Sequence, residues 1–188
     1  ARACAVPSAS AILFDLGYSS FQIDDPARGF SFRFESPLDM RYDTSGGVTA
    51  ADLVNGWPQE DLARVLRDYG EERAAGRIAA AIVRARSRAS IASTGQLAAV
   101  VASAVPERTR RGKPKIHPAT QAFQAFRIAV NDELGNMREA LPQAVRLLRP
   151  GGRLAVISFH SLEDRIVKQE FKSLEASCWG RVVTKKPK

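Results

Sequence analysis

Two short apolar runs, SAILFD at residues 10–15 and RLAVISF at 153–159, constrain this chain more than any other feature. Runs of this length bounded by polar residues read as buried strands. Ahead of the second run, Phe123, Phe126, Val130, Leu134, Met137 and Leu141 recur at spacings of three and four, the core-facing stripe of one long helix. Strand, helix and strand in that order belong to an open α/β sheet. Ligands of such sheets sit beyond the carboxyl ends of the strands. Asp15 and the SFHS stretch at 158–161 both stand at such ends. Asp15 therefore has two readings, a plain turn residue or a carboxylate presented to a ligand, and position favours the second.

The rest of the chain can be placed around this frame. Pro142 is expected to break or restart the long helix, and Pro150-Gly151-Gly152 to turn into the second strand. Ser161-x-x-Asp164 reads as the capping pattern of a closing helix, and RVVTKKPK as a last strand. After Asp15 comes a long stretch rich in Gly, Pro, Asp and Ser, without clear periodicity. Phe21, Phe30, Phe32 and Phe34 within it argue for an ordered loop held down by aromatics. Short helices follow, with Thr49 and Ser93 as N-caps, Pro58 opening the second, and Ile78, Ile82 and Val83 on one face of the third.

Charge narrows the function classes. The formal net charge is +8 and the pI about 10.0. Between Glu71 and Lys115 stand ten Lys/Arg against three acids, which leaves +7 of that +8 in one segment. A lopsided positive field suits a polyanion such as RNA, and equally a solvated Arg-rich helix face with a basic loop. No apolar run is long enough to span a membrane. Cys4 and Cys178 stand far apart with no CxxC pair, and His117 and His160 are too scattered for a metal cluster. The expectation is no metal, no disulfide framework and a reducing, cytoplasmic compartment. The amino-terminal ARACAVPSAS has neither the charged head nor the apolar centre of a secretory signal.

LRPGGRLAVISF resembles the approach to the fifth strand of class I S-adenosylmethionine-dependent methyltransferases. Together, FDLGYSSFQIDDPARGFSFRFESPLDMRYD, YGEER, HPAT with FQAFRIAVNDEL, and SFHSLEDRIVK resemble the bacterial ribosomal RNA small-subunit methyltransferase H family, also called MraW. The resemblance covers most of residues 10–172 in order and spacing. It implies a Rossmann-like methyltransferase sheet formed by 1–42 and 116–188, with a small, basic helical domain for RNA recognition inserted at 43–115. It also implies that the amino-terminal part of that sheet is missing, because the family's first strand and Gly-Gly-His loop have no counterpart here. The expected reaction is methylation of the 4-amino group of a cytidine in small-subunit ribosomal RNA.

That chemistry needs hydrogen-bond acceptors. The cytosine amine is a poor nucleophile because its lone pair is delocalised into the ring, so acceptors on its N–H groups and in-line positioning must supply the reactivity. Asp15 is the expected acceptor and also a cofactor contact. Gln22 is a second contact to S-adenosylmethionine by resemblance. Ser19 and His160 are the other candidate catalytic residues, each equally readable as a local structural hydrogen-bonder. Tyr18 stands where related enzymes stack an aromatic on a flipped base, with packing as its other reading. Asp39 and Arg41 are read as ordering the long loop. Arg108, Arg110, Arg111, Lys113 and Lys115 are expected to hold the RNA backbone, with the small ribosomal subunit as partner and a homodimer as an allowed state. A second reading is a non-catalytic RNA-binding relative, or fragment, acting in ribosome assembly.

Overall fold

A computed structural model describes residues 7–17, 19, 21–22, 25–105 and 117–184. Among the described residues it is an α/β structure with a small parallel sheet and seven α-helices. The chain divides into two compact units, one of residues 1–17 with 133–188 and one of residues 18–132. The sequence places its domain boundaries at 42/43 and 115/116.

In the first unit, β1 (Ala9–Asp15) pairs in parallel with β2 (Leu148–Ile157). From Ala11 to Asp15 the ladder runs unbroken against Arg153 to Ile157. Ahead of it, Ala9 faces Leu148, so the Pro-Gly-Gly turn lies within the span of β2 as an irregularity, with Gly151 at φ 78°. Only glycine enters that backbone region without a steric penalty. Two helices complete the unit, α6 (Glu133–Leu147) and α7 (Ser161–Ala176). They pack on one another, with Leu134, Met137, Leu141, Leu162 and Ile166 buried.

The second unit holds the larger core. Its helices are α1 (Ala50–Gly56), α2 (Gln59–Asp68), α3 (Ala75–Arg86), α4 (Thr94–Ala104) and α5 (Ala119–Asn131). Leu53, Leu62, Leu66, Ile78, Ile82, Leu97 and Phe126 are each within 2% of complete burial. The starts of these helices follow local rules. Thr49 and Ser93 each close a capping box, with Asp52 and Gln96 as reciprocal partners, and Pro58 precedes an acidic first turn at Glu60 and Asp61.

Several sequence expectations need correcting. Neither strand is buried as expected, since Leu13 in β1 is 64% exposed and Ile157 in β2 45%. Only β2 pairs with β1 among the described residues. The long helix is two helices, because Asp132 adopts φ 45°, ψ 43° and ends α5. A left-handed residue stops helical hydrogen bonding, and Asp tolerates that region better than most. Pro142 does not break α6 but lies inside it. Phe30 and Phe32 pack against the core, whereas Phe21 and Phe34 are exposed and pin nothing. Residues 181–184 of the expected last strand are not a strand.

Candidate functional site

The parallel register sets what the sheet can present. Asp15 stands opposite Ile157, and the next amide, Leu16 N–H, donates to the Ile157 carbonyl at 3.1 Å. Both strands therefore end at one rim, and the turns that follow leave side by side. The Asp15 side chain is exposed and accepts a long 3.4 Å contact from the Gly17 N–H, so it closes its own turn while keeping carboxylate oxygen toward solvent. Gly17 lies close to the other turn: a Cβ there would lie 2.7 Å from the Phe159 ring, which would have to swing aside.

On the other turn, His160 is the N-cap of α7, one residue earlier than the Ser161 cap the sequence suggests. Its Nδ1 faces the Glu163 N–H at 3.5 Å. The Glu163 carboxylate reaches back to the N–H groups of Phe159 at 2.7 Å and His160 at 3.3 Å. This reciprocal box uses orphan helix donors that the Ser161-x-x-Asp164 alternative would leave open. His160 Nε2 lies 3.2 Å from Glu163 Oε1, but off the line a hydrogen bond requires, so that buried nitrogen has no hydrogen-bond partner. Burial pushes the Glu163 carboxyl up. The adjoining His160 side chain and the Phe159 N–H outweigh burial and hold it below its ordinary value. The geometry thus gives His160 and Glu163 the task of fixing the turn beyond β2. Glu133, His160 and Glu163 also bring ligand atoms within 4.8 Å of one another, and are the described side chains placed to share a cation.

The remaining candidates fall elsewhere. Ser19 and Gln22 belong to the second unit and hold each other: the Ser19 N–H donates to Gln22 Oε1 at 3.1 Å, and the Gln22 N–H to the Ser19 carbonyl at 2.9 Å. Asp39 and Arg41 form a two-pronged pair, Nε to Oδ1 at 2.9 Å and Nη2 to Oδ2 at 2.7 Å. Arg41 holds the Asp39 carboxyl below the usual range. The pair closes a local turn within the long loop. Tyr18 and the connector residues Arg108, Arg110, Arg111, Lys113 and Lys115 lie outside the described residues.

Sequence reasoning missed the residues that pin the loop from a distance. Arg28 donates to the carbonyls of Arg41 and Tyr42 at 2.9 and 2.7 Å. Asn131 donates to the Met40 carbonyl at 2.7 Å and accepts from the Tyr42 N–H at 2.7 Å. Met40, fully buried at φ 64°, is the strained residue they hold. No local pattern signals such partners. Glu163 was legible in principle, as the fourth residue of His-x-x-Glu.

The profile of the MraW methylase family matches residues 2–186. A protein named ribosomal RNA small subunit methyltransferase H from Symbiobacterium thermophilum is 55% identical over 171 residues, which is 91% of this chain and 53% of that relative. Proteins of the same name from Paenibacillus sp. and Thermomicrobium roseum are 53% identical over 173 residues and 57% over 167, covering 92% and 89% of this chain and 54% and 50% of theirs. The chain spans about half the length of the curated relatives it matches.

Proposed function

This chain belongs to the MraW methylase family, and from that premise we propose that the whole protein transfers a methyl group from S-adenosylmethionine to the 4-amino group of a cytidine in small-subunit ribosomal RNA. The observation that carries the reading is the family match over residues 2–186. The names of the relatives supply ribosomal RNA as the substrate class.

The parallel strands are then part of a Rossmann-like class I sheet. Asp15, exposed at its carboxyl rim, accepts from the cytosine amine and contacts the cofactor. Acceptance would make the nitrogen lone pair available, and the proton that the amine loses on methylation would pass to the Asp15 carboxylate or to water. S-Adenosylmethionine supplies the electrophilic methyl. His160 and Glu163 keep the neighbouring turn in place, so that the rim is formed before substrate arrives. Ser19 and Gln22 add polar contacts to cofactor or base, and a paired cytidine must be turned out of its stack to reach such a rim. The connector with Arg108, Arg110, Arg111, Lys113 and Lys115 holds the RNA backbone, as an inserted recognition region would.

The test is direct. Full-length protein is incubated with methyl-labelled S-adenosylmethionine and either small ribosomal subunits or free ribosomal RNA, and the nucleosides are separated by mass. Label on the 4-amino group of cytidine is the expected result. Label on carbon 5, on another base or on no nucleoside overturns the assignment, and RNA binding without transfer favours the assembly-factor reading.

A further inference from the structure

Helix α3 and the turn that follows it carry an arginine stripe that pairs with nothing among the described residues. From Arg73 to Val105 the chain contains no Asp or Glu, so nothing along this helix neutralises its own cations. The buried face is filled by Ile78, Ala79 and Ile82, each at 0% exposure. Arg77 and Arg84 lie seven residues apart on the opposite side. Arg88 stands four residues further on, where its N–H still bonds helically to the Ala85 carbonyl at 3.0 Å. Spacings of seven and four place the three on one face, the first two about 10 Å apart along the axis. All three are exposed.

Their neighbours make the contrast. Arg86 is used structurally, donating to the Val54 carbonyl at 2.8 Å. Arg64, on the adjoining helix α2, is paired with Asp61 at 2.7 Å. The nearest buried acid, Glu72, is turned inward to accept from the Ala74 N–H at 2.7 Å. The guanidinium groups of Arg77, Arg84 and Arg88 have no hydrogen bond or ion pair among the described residues. Arginines in a last turn do favour the helix dipole. That account covers Arg84 but not Arg77, which stands near the start.

We infer that Arg77, Arg84 and Arg88 form a track for the RNA phosphate backbone, separate from the basic connector at 108–115. Guanidinium groups suit phosphate because their planar donors match its oxygens two at a time. A lipid surface fits poorly. A membrane-bound helix needs large apolar side chains beside its cations, and among the described residues none of the exposed large hydrophobic ones lies between Val48 and Leu147. Contacts of this kind position an RNA without reading its sequence. The track therefore acts on any RNA presented to it and leaves the choice of cytidine to other parts of the protein. The inference rests on the proposed RNA substrate and adds where that substrate is gripped.

The experiment measures binding of full-length protein to a fluorescent fragment of small-subunit ribosomal RNA, and to an unrelated RNA of equal length, across a range of KCl. Each phosphate contact contributes roughly 0.7 to the slope of log affinity against log salt for a single strand. The triple variant R77Q/R84Q/R88Q is expected to lose roughly 2 from that slope, equally on both RNAs. The triple lysine variant should retain the slope while binding more weakly than arginine. Arg86→Gln should lower stability and leave the slope alone. A folded triple glutamine variant with the wild-type slope overturns the track while the proposed RNA substrate stands. Should the glutamine triple unfold, the lysine triple and the three single glutamine variants decide by the same slope. Wild-type protein that binds neither RNA overturns the substrate reading and the track together.

Discussion

Asp15 faces Ile157 across the parallel ladder, so the carboxylate and the turn bearing Phe159 and His160 leave the sheet at one rim. Opposite polarity of the strands would have sent them to opposite ends. This register turns two distant sequence features into neighbours, and the proposed chemistry depends on it.

Replacing Asp15 by Ala removes the proposed acceptor while leaving the ladder's backbone bonds intact. Methyl transfer by the full-length protein should fall at least about a hundredfold, the scale of losing one preorganised polar contact at a reacting centre. RNA affinity should be unchanged. Transfer at the wild-type rate would show that Asp15 only closes its turn.

Glu163→Ala strips the acceptor from the Phe159 and His160 N–H groups. Loss of a cap of this kind costs about 1–2 kcal/mol, to be read as a lower urea midpoint with an unchanged slope. Glu163→Gln, whose amide oxygen can still accept, should lose less. Equal midpoints for all three proteins would mean that the cap contributes nothing.

Acid should weaken the same cap. The folded-state carboxyl of Glu163 titrates below its ordinary value. The unfolded chain therefore takes up the proton first as pH falls. Stability from this group is complete above the ordinary glutamate range and is lost as pH drops through the lowered folded value. Asp39, held down by Arg41, has the same sign. Urea midpoints from pH 7 to 3 should fall less steeply in Asp39→Asn and Glu163→Gln than in the wild type, and parallel curves would refute the linkage.

Gly29 sits at φ 68°, where an added Cβ would run into the Pro37 carbonyl oxygen. Both faults are in backbone, so no side chain can swing away to relieve them. Gly29→Ala should cost at least about 1–3 kcal/mol, whereas alanine at Gly46, with open space around it, should be nearly neutral. Thermal unfolding of the two variants makes the comparison.

How far the sequence could be read follows the range of the forces involved. Thr49 and Ser93 were legible as helix starts because a cap is satisfied by residues three positions away, and Pro58 because its fixed φ suits the start of a helix. Ile78 and Ile82 were legible as core from periodicity. Asp132 was not, because the apolar stripe runs straight through the break in Phe126, Val130, Leu134 and Met137. His160 was read as a candidate catalytic residue and not as the cap because Ser161 is also a good cap residue, and the choice turned on which carboxylate could reach back.

By itself, then, the sequence determined the two strands, the helix starts, the basic bias and the family likeness, all of which follow from contacts or patterns between near neighbours in the chain. Tertiary structure alone decided that Asp15 pairs with Ile157, that Asn131 and Arg28 hold the strained Met40 loop, and that Arg86 is occupied while Arg77, Arg84 and Arg88 are not. Each of these depends on partners 13 or more residues away, and a side chain's identity carries no record of which distant carbonyl, amide or acid folding will bring to it.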